Sequence, residues 1–152
     1  MEEIIIDEEL TLVPYYPAPE IALPWYLDAE VCRQVDNRDS VYTPELLDRM
    51  YTFLSTHGDC YYIRYQGELV GDVTLRDNAE VCIVVSKPFQ NRRIGRRCIK
   101  AMLERAGEKG YPEVRANIYS FNTQSRRMFE SVSFLQVSDE WFSCRIRSDE
   151  TA

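Results

Sequence analysis

Residues 60–86, CYYIRYQGELVGDVTLRDNAEVCIVVS, hold three runs rich in β-branched and aromatic residues, separated only by Gln66-Gly67 and by Asp77-Asn78. Turns that short join strands lying side by side in opposite directions, because a parallel return needs a long crossover. The middle of the chain is therefore an antiparallel meander against which the other elements must pack. Directly after it the period changes. Ile94, Cys98, Ile99, Met102, Leu103 and Ala106 mark one face of a helix, closed by Gly107 and Gly110.

The flanks follow the same logic. LTLVPYYP (10–17) reads as a strand ended by prolines, and PEIALPWYLDAEVCRQVD (19–36) as helical and loop-like pieces broken at Pro24. Thr43-Pro44 is a helix start, with Leu46, Leu47, Met50, Phe53 and Leu54 as its apolar stripe and Gly58 as its stop. EVRANIY (113–119) is a short strand, NTQSRRMFESV (122–132) a helix opened by Asn122, and FLQVSDEWFSCRIR (134–147) a final hairpin-like pair. SDETA (148–152) reads as a free tail. This order implies an α+β fold around a mixed sheet.

A chain of 152 residues suits one domain, 1–152. No apolar window approaches the length of a membrane span, and the start MEEIIIDEEL is acidic where a secretory signal is basic, so a cytoplasmic location without membrane contact is expected. Cys32, Cys60, Cys82, Cys98 and Cys144 form no CxxC pair and His57 is the single histidine, which argues against a metal site or a disulfide framework. A formal net charge of -7 repels nucleic acid and favours a cationic or amine ligand.

Against that background, Arg92, Arg93, Arg96, Arg97 and Lys100 cluster where a strand turns into a helix. Cations sit badly at the positive end of a helix dipole unless an anion docks there. Gly95 permits close backbone approach and the arginines offer charge-assisted hydrogen bonds, a combination that suits a pyrophosphate. A solvated basic face is the plainer reading, and a nucleic-acid patch lacks its aromatic partners. Neither GxxxxGK[ST] nor GxGxxG is present.

VCIVVSKPFQ running into QNRRIG, followed by NTQSRRMFESVSF, resembles the acetyl-CoA-binding core of the GNAT N-acetyltransferases, over about Leu10 to Arg147. Gln90 and Gly95 match the family pattern Q/R-x-x-G-x-G/A, and Asn122, Ser125 and Phe129 match N-x-x-S/A-x-x-x-Y/F. Three positions depart from it: Arg93 replaces the first glycine, Phe129 the usual tyrosine, and Ser133 a glycine that commonly precedes Phe134. The resemblance implies an α/β/α-like arrangement, with a mixed, mostly antiparallel twisted sheet of roughly six to seven strands and about four helices.

It also implies acetyl-CoA as cosubstrate. The backbone of Gln90, Asn91, Arg92, Arg93, Ile94, Gly95, Arg96 and Arg97 would hold the pyrophosphate. Ile83, Val84 and Val85 would lie at a splayed strand end along the pantetheine arm, with Asn122, Ser125, Arg126 and Phe129 contributed by the next helix. One or more of Arg92, Arg97, Arg126 and Arg127 would meet the 3′-phosphate, and a bulge at Ile83 to Val85 would free N–H groups for an oxyanion.

Acetylating an amine requires a base and a proton for the departing thiolate. Glu80, on the strand face of Cys82 and Val84, is the first candidate base and Asp72 the second. Phe129 has no hydroxyl, which leaves Tyr119, Ser125 or water as the acid. Trp25, Tyr26, Tyr42 and Trp141 are candidates to wall an acceptor pocket, with Asp28, Glu30, Asp36 and Asp39 drawing in the ammonium of a small amine or a protein N-terminus. A non-catalytic acyl-CoA-binding module is the alternative, motivated by Arg93 and Phe129. The edge of WFSCRIR (141–147) offers itself to a second copy, as in a homodimer.

Overall fold

The computed structural model describes residues 1–146, and the SDETA segment lies outside the described residues. Strands β1 (Ile4–Ile5), β2 (Leu10–Pro14), β3 (Gly58–Tyr65), β4 (Glu68–Arg76) and β5 (Val81–Val85) form one sheet in chain order. Gln66 and Gly67, at φ 50 and 84, make the β3–β4 turn, since a two-residue hairpin loop wants both residues left-handed. β6 (Glu113–Asn117), β7 (Leu135–Gln136) and β8 (Trp141–Arg145) form a second sheet in the order β6-β8-β7. Every named ladder is antiparallel, and among the described residues one parallel bridge, Glu80 to Arg115, joins the sheets. The mixed, mostly antiparallel sheet expected from the sequence is present, divided into two antiparallel ladders that this bridge joins. Placing β8 in the middle also removes the free edge expected of WFSCRIR: β6 covers one side and β7 part of the other.

Helices cover both faces. α1 (Pro19–Ala22), a 3-10 turn at Leu23–Leu27, α2 (Ala29–Asp36) and α3 (Pro44–Thr56) precede β3, while α4 (Ile94–Glu108) and α5 (Thr123–Ser131) follow β5 and β6. Alternation along β3 feeds two cores. Tyr61, Ile63 and Tyr65 pack with Ile99, Met102 and Phe134, whereas Cys60 and Tyr62 pack with Tyr26, Leu47 and Tyr51. Thr43 caps α3 as expected, its hydroxyl accepting from the Leu46 N–H at 3.2 Å. The stripe of α3 is rotated from the expected one: Leu47, Tyr51 and Leu54 are buried, while Phe53 is 46% exposed beneath the Arg76 guanidinium.

α5 ends in a paired carbonyl cap. The Ser133 N–H donates to the Glu130 carbonyl and the Phe134 N–H to the Phe129 carbonyl, both at 3.1 Å, and the Phe129 and Phe134 rings meet edge to face at 5.0 Å. The geometry requires a left-handed residue after the helix, and Ser133 supplies it at φ 76. A side chain there costs about 1 kcal/mol. Ser133→Gly is accordingly expected to stabilise the fold by roughly 0.5–1 kcal/mol, after the extra chain entropy of glycine, and to raise Tm by about 2–3 °C in thermal denaturation.

Candidate active site

β5 pairs with β4 in unbroken register, from Val81 opposite Leu75 to Val85 opposite Gly71. The register shift of this sheet lies at Ile63/Arg64 in β3, so the bulge expected at Ile83 to Val85 is not there. Alternation of the ladder exposes backbone instead. The Arg76 N–H donates to the Glu80 carbonyl and the Ser86 N–H to the Val70 carbonyl, each at 2.8 Å, so the even-numbered residues of β5 bond to β4. Ile83 and Val85 therefore turn their N–H and C=O groups to the opposite edge. On that edge the Arg115 N–H reaches the Ala79 carbonyl at 2.9 Å, and beyond the Glu80 bridge the two sheets share no ladder. Gln90 Nε2 donates to the Val85 carbonyl at 2.9 Å.

A cavity of about 400 Å³ opens between this edge, the start of α4 and α5. Asn91 and Arg93 both adopt left-handed backbone, at φ 64 and 63, and Arg93 is the N-cap of α4. Arginine here adopts the left-handed backbone that glycine takes most readily. No side chain caps the helix, so the first-turn amides are free for a ligand. Arg93, Arg96 and Arg127 line the cavity, and Arg96 Nε is buried without a partner. A Cβ on Gly95 would lie 3.4 Å from Met128 Cε, an ordinary contact, so packing of the protein itself does not require glycine there. Asn122 is buried and accepts the Ser125 N–H at 3.2 Å as the cap of α5. Amides and guanidinium groups at one end and a free strand edge at the other fit a diphosphate with an amide-bearing arm, the chemistry of acetyl-CoA.

A second cavity of about 290 Å³ shares Gln34, Val35, Ile83, Val84, Asn122 and Ser125 with the first. Asp72, 2% exposed, lines it and accepts at one oxygen from Tyr26 Oη at 2.6 Å and Tyr51 Oη at 2.7 Å. Burial pushes its carboxyl up to about 6, against the lowering pull of the two hydroxyls. Glu80 lines the same cavity, bound to Arg76 at 2.9 Å. Asp72 opposes Val84, so Asp72 and Glu80 lie on one sheet face. Tyr42 donates to Asp36 at 2.5 Å, and burial raises the Tyr119 phenol above its ordinary value.

The expected cofactor residues Ile83, Val84, Val85, Gln90, Asn91, Arg93, Ile94, Gly95, Arg96, Asn122 and Ser125 all line the first cavity. Four others do not. Arg92 is exposed over the Phe89 ring, and Arg97 is engaged by Asp7 and Glu9. Arg126 is spent on the carbonyls of Ile118, Tyr119 and Asp139, and Phe129 is buried beside the second cavity. Of the expected acceptor residues, Tyr26, Tyr42 and Asp36 line the second cavity. Trp25 packs on Tyr62, Trp141 lies against Arg115, Asp28 caps α2 and Glu30 pairs with Lys87. Gln34 and Val35 of α2, which line both cavities, carry no sequence signal, since an amphipathic pattern does not say which partner its face meets.

Comparison with curated proteins gives no match. Among solved structures, the chain superposes on an acetyltransferase from Salmonella typhimurium that modifies the N-terminal serine of ribosomal protein L7/L12, with a TM-score of 0.77 at 14% identity over 96% of this chain and 100% of that one. It also superposes on a ribosomal L7/L12 alpha-N-protein acetyltransferase in complex with coenzyme A, with a TM-score of 0.75 at 15% identity over 97% and 100%. A GNAT-family acetyltransferase from Bacillus anthracis gives a TM-score of 0.75 at 16% identity over 90% and 91%. These likenesses establish the fold. Residues 22–134 match the sequence pattern of the Acetyltransferase (GNAT) family, and with that match over most of its length the chain belongs to that family.

Proposed function

We propose that this protein transfers the acetyl group of acetyl-CoA to a primary amine, small and cationic or a protein N-terminus, by direct attack with both substrates bound. The observation that carries the reading is the meeting of the two cavities at Ile83 and Val84, with uncapped helix amides and arginines on one side and the buried Asp72 beside the half-buried Glu80 on the other. When bound, acetyl-CoA supplies an acetyl carbonyl activated as a thioester. The amides of Asn91 to Arg96, with Arg93, Arg96 and Arg127, hold its phosphates. Ile83 N–H and C=O and Val85 N–H align the arm along β5.

On the acceptor side Asp72 suits the base, because a pKa near 6 leaves it ionised at neutral pH yet able to take a proton. Glu80, ion-paired with Arg76, holds the ammonium in the cavity. Among the phenols, Tyr26 and Tyr42 are committed to Asp72 and Asp36, so the proton for the thiolate falls to Tyr119 or Ser125. Phe129, buried against Phe134, cannot supply it, and this favours a second reading, a module that binds acetyl-CoA without turnover. Calorimetry with acetyl-CoA, followed by coenzyme A release in a panel of amines, separates the two. Binding with release supports the enzyme, binding without release the module, and no binding at low salt overturns both.

Gly95→Ala tests the cofactor side. Alanine fits the fold and favours a helix by up to about 1 kcal/mol, so Tm should hold or rise while acetyl-CoA affinity falls about tenfold or more from loss of close backbone approach.

Asp72→Asn tests the acceptor side. Wild-type kcat/KM should rise with pH through about 6 as Asp72 loses its proton, and the asparagine variant should lack that limb and lose about 100-fold in kcat with acetyl-CoA affinity retained. Stability should move the other way. The carboxyl titrates at 3.8 unfolded and about 6 folded, so its contribution is full below the unfolded value and is lost as pH rises through the folded one. Asp72→Asn should therefore be more stable than wild type by about 1–3 kcal/mol at neutral pH and no more stable in acid, as chemical denaturation at the two pH values would report.

A further inference from the structure

The Arg97 guanidinium stands behind the phosphate loop and makes bonds in two directions. Nη1 donates to Asp7 Oδ2 and to Glu9 Oε1, both at 3.0 Å. Nη2 donates to the Arg92 carbonyl at 3.4 Å and Nε to the Arg93 carbonyl at 3.3 Å. Those two carbonyls flank the left-handed Arg93.

The carboxylates are themselves anchored to the sheet. Glu9 Oε2 accepts from Gln66 Nε2 at 3.1 Å and from Tyr65 Oη at 3.4 Å, and the Glu9 carbonyl accepts the Gln66 N–H at 2.8 Å. Asp7 Oδ1 accepts the Glu9 N–H at 2.9 Å. Slight desolvation pushes the Asp7 carboxyl up, but the bonds from Arg97 and from the Glu9 N–H bring it below its ordinary value. A chain of hydrogen bonds thus runs from the β3–β4 hairpin through Glu9 and Arg97 to the loop.

We propose that Arg97 is a positioning residue: oriented by Asp7 and Glu9, it fixes the Arg92 and Arg93 carbonyls and so presets the loop that receives the phosphates. The proposal rests on reading that loop as the acetyl-CoA site. Left-handed backbone at Arg93 is unfavourable by about 1 kcal/mol, so the loop relaxes unless something restrains it, and a loop that must be ordered on binding weakens affinity. The restraint depends on a planar fork of donors, which lysine lacks.

The role is separable from direct phosphate binding because the two predict opposite signs. Were Arg97 a phosphate ligand held back by the carboxylates, neutralising them would release it and tighten binding. As a positioning residue, it needs them. The experiment compares wild type with Arg97→Ala, Arg97→Lys and the double variant Asp7→Asn/Glu9→Gln, by calorimetry with acetyl-CoA and with its analogue lacking the 3′-phosphate. Amide hydrogen exchange at Asn91 to Ile94 is measured without ligand.

Both Arg97 variants should weaken binding about tenfold, equally for the two ligands, and the double variant several-fold, with KM for acetyl-CoA rising while kcat at saturation changes little. Loop amides should exchange faster in all three variants at unchanged core protection, which also certifies that each is folded. Tighter binding by the double variant, rescue by lysine or unchanged loop exchange would overturn the proposal. If wild type binds no acetyl-CoA, the functional reading fails, and the ligand-free exchange still decides whether Arg97 orders the loop.

Discussion

Among the described residues strand β5 is laddered along one edge only, against β4, and both cavities depend on that. It stays level with β4 because the ladder is unbroken and Gly71 leaves room for it: a Cβ there would fall 2.0 Å from the Val84 carbonyl oxygen. On its other side, among the described residues, its pairing toward β6 is limited to the bridge of the preceding Glu80 with Arg115. An open edge is ordinarily a liability that invites pairing with another chain. Here α2 and α5 flank it, placing Gln34, Val35, Asn122 and Ser125 along the gap, so the free amides face a cleft instead of another strand.

Charge is distributed around that edge by two different means. At the start of α4 the backbone supplies much of the positive potential, and the arginines divide between the cavity and structural tasks: Arg93 and Arg96 line it, whereas Arg97 is bound to carboxylates from the β1–β2 connection. At the second cavity the negative charge is costly. Among the described residues Asp72 is buried with no cation bonded to it, its carboxylate accepting two tyrosine hydroxyls, and burial holds its proton affinity near neutrality. A core built for stability alone would not keep a carboxylate there, which is why its position argues for chemistry.

The three departures from the family pattern have different consequences. Arg93 and Ser133 stand where glycine is usual, and both adopt the left-handed backbone that glycine would take, so the loop and the cap of α5 persist with some strain. Phe129 closes the α5 cap by its edge-to-face contact with Phe134, and as a phenylalanine it brings no hydroxyl to the cavity.

Much of the fold was legible in the sequence because its signals are local. The two tight turns dictated the meander, the change of period at Ile94 dictated α4, and the Thr43-Pro44 and Asn122 caps marked α3 and α5. The arginine cluster and Gly95 pointed to an anion at one helix end for the same reason, since a helix terminus is defined by its own few residues. What lay beyond reach involves partners distant in the chain. Whether Tyr51 or Phe53 faces the core, whether β8 is an edge, which of Arg96 and Arg97 enters the cavity, and that Tyr26 and Tyr51 converge on Asp72 are all set by elements many residues away. Sequence by itself determined most of the elements, their order and which residues crowd the turn before α4, because backbone propensity and capping act over a few residues, whereas the short strand β1 gave no local signal. Only the tertiary structure decided which side chains meet at the open edge of β5, because burial and hydrogen-bond partners are properties of the packed chain.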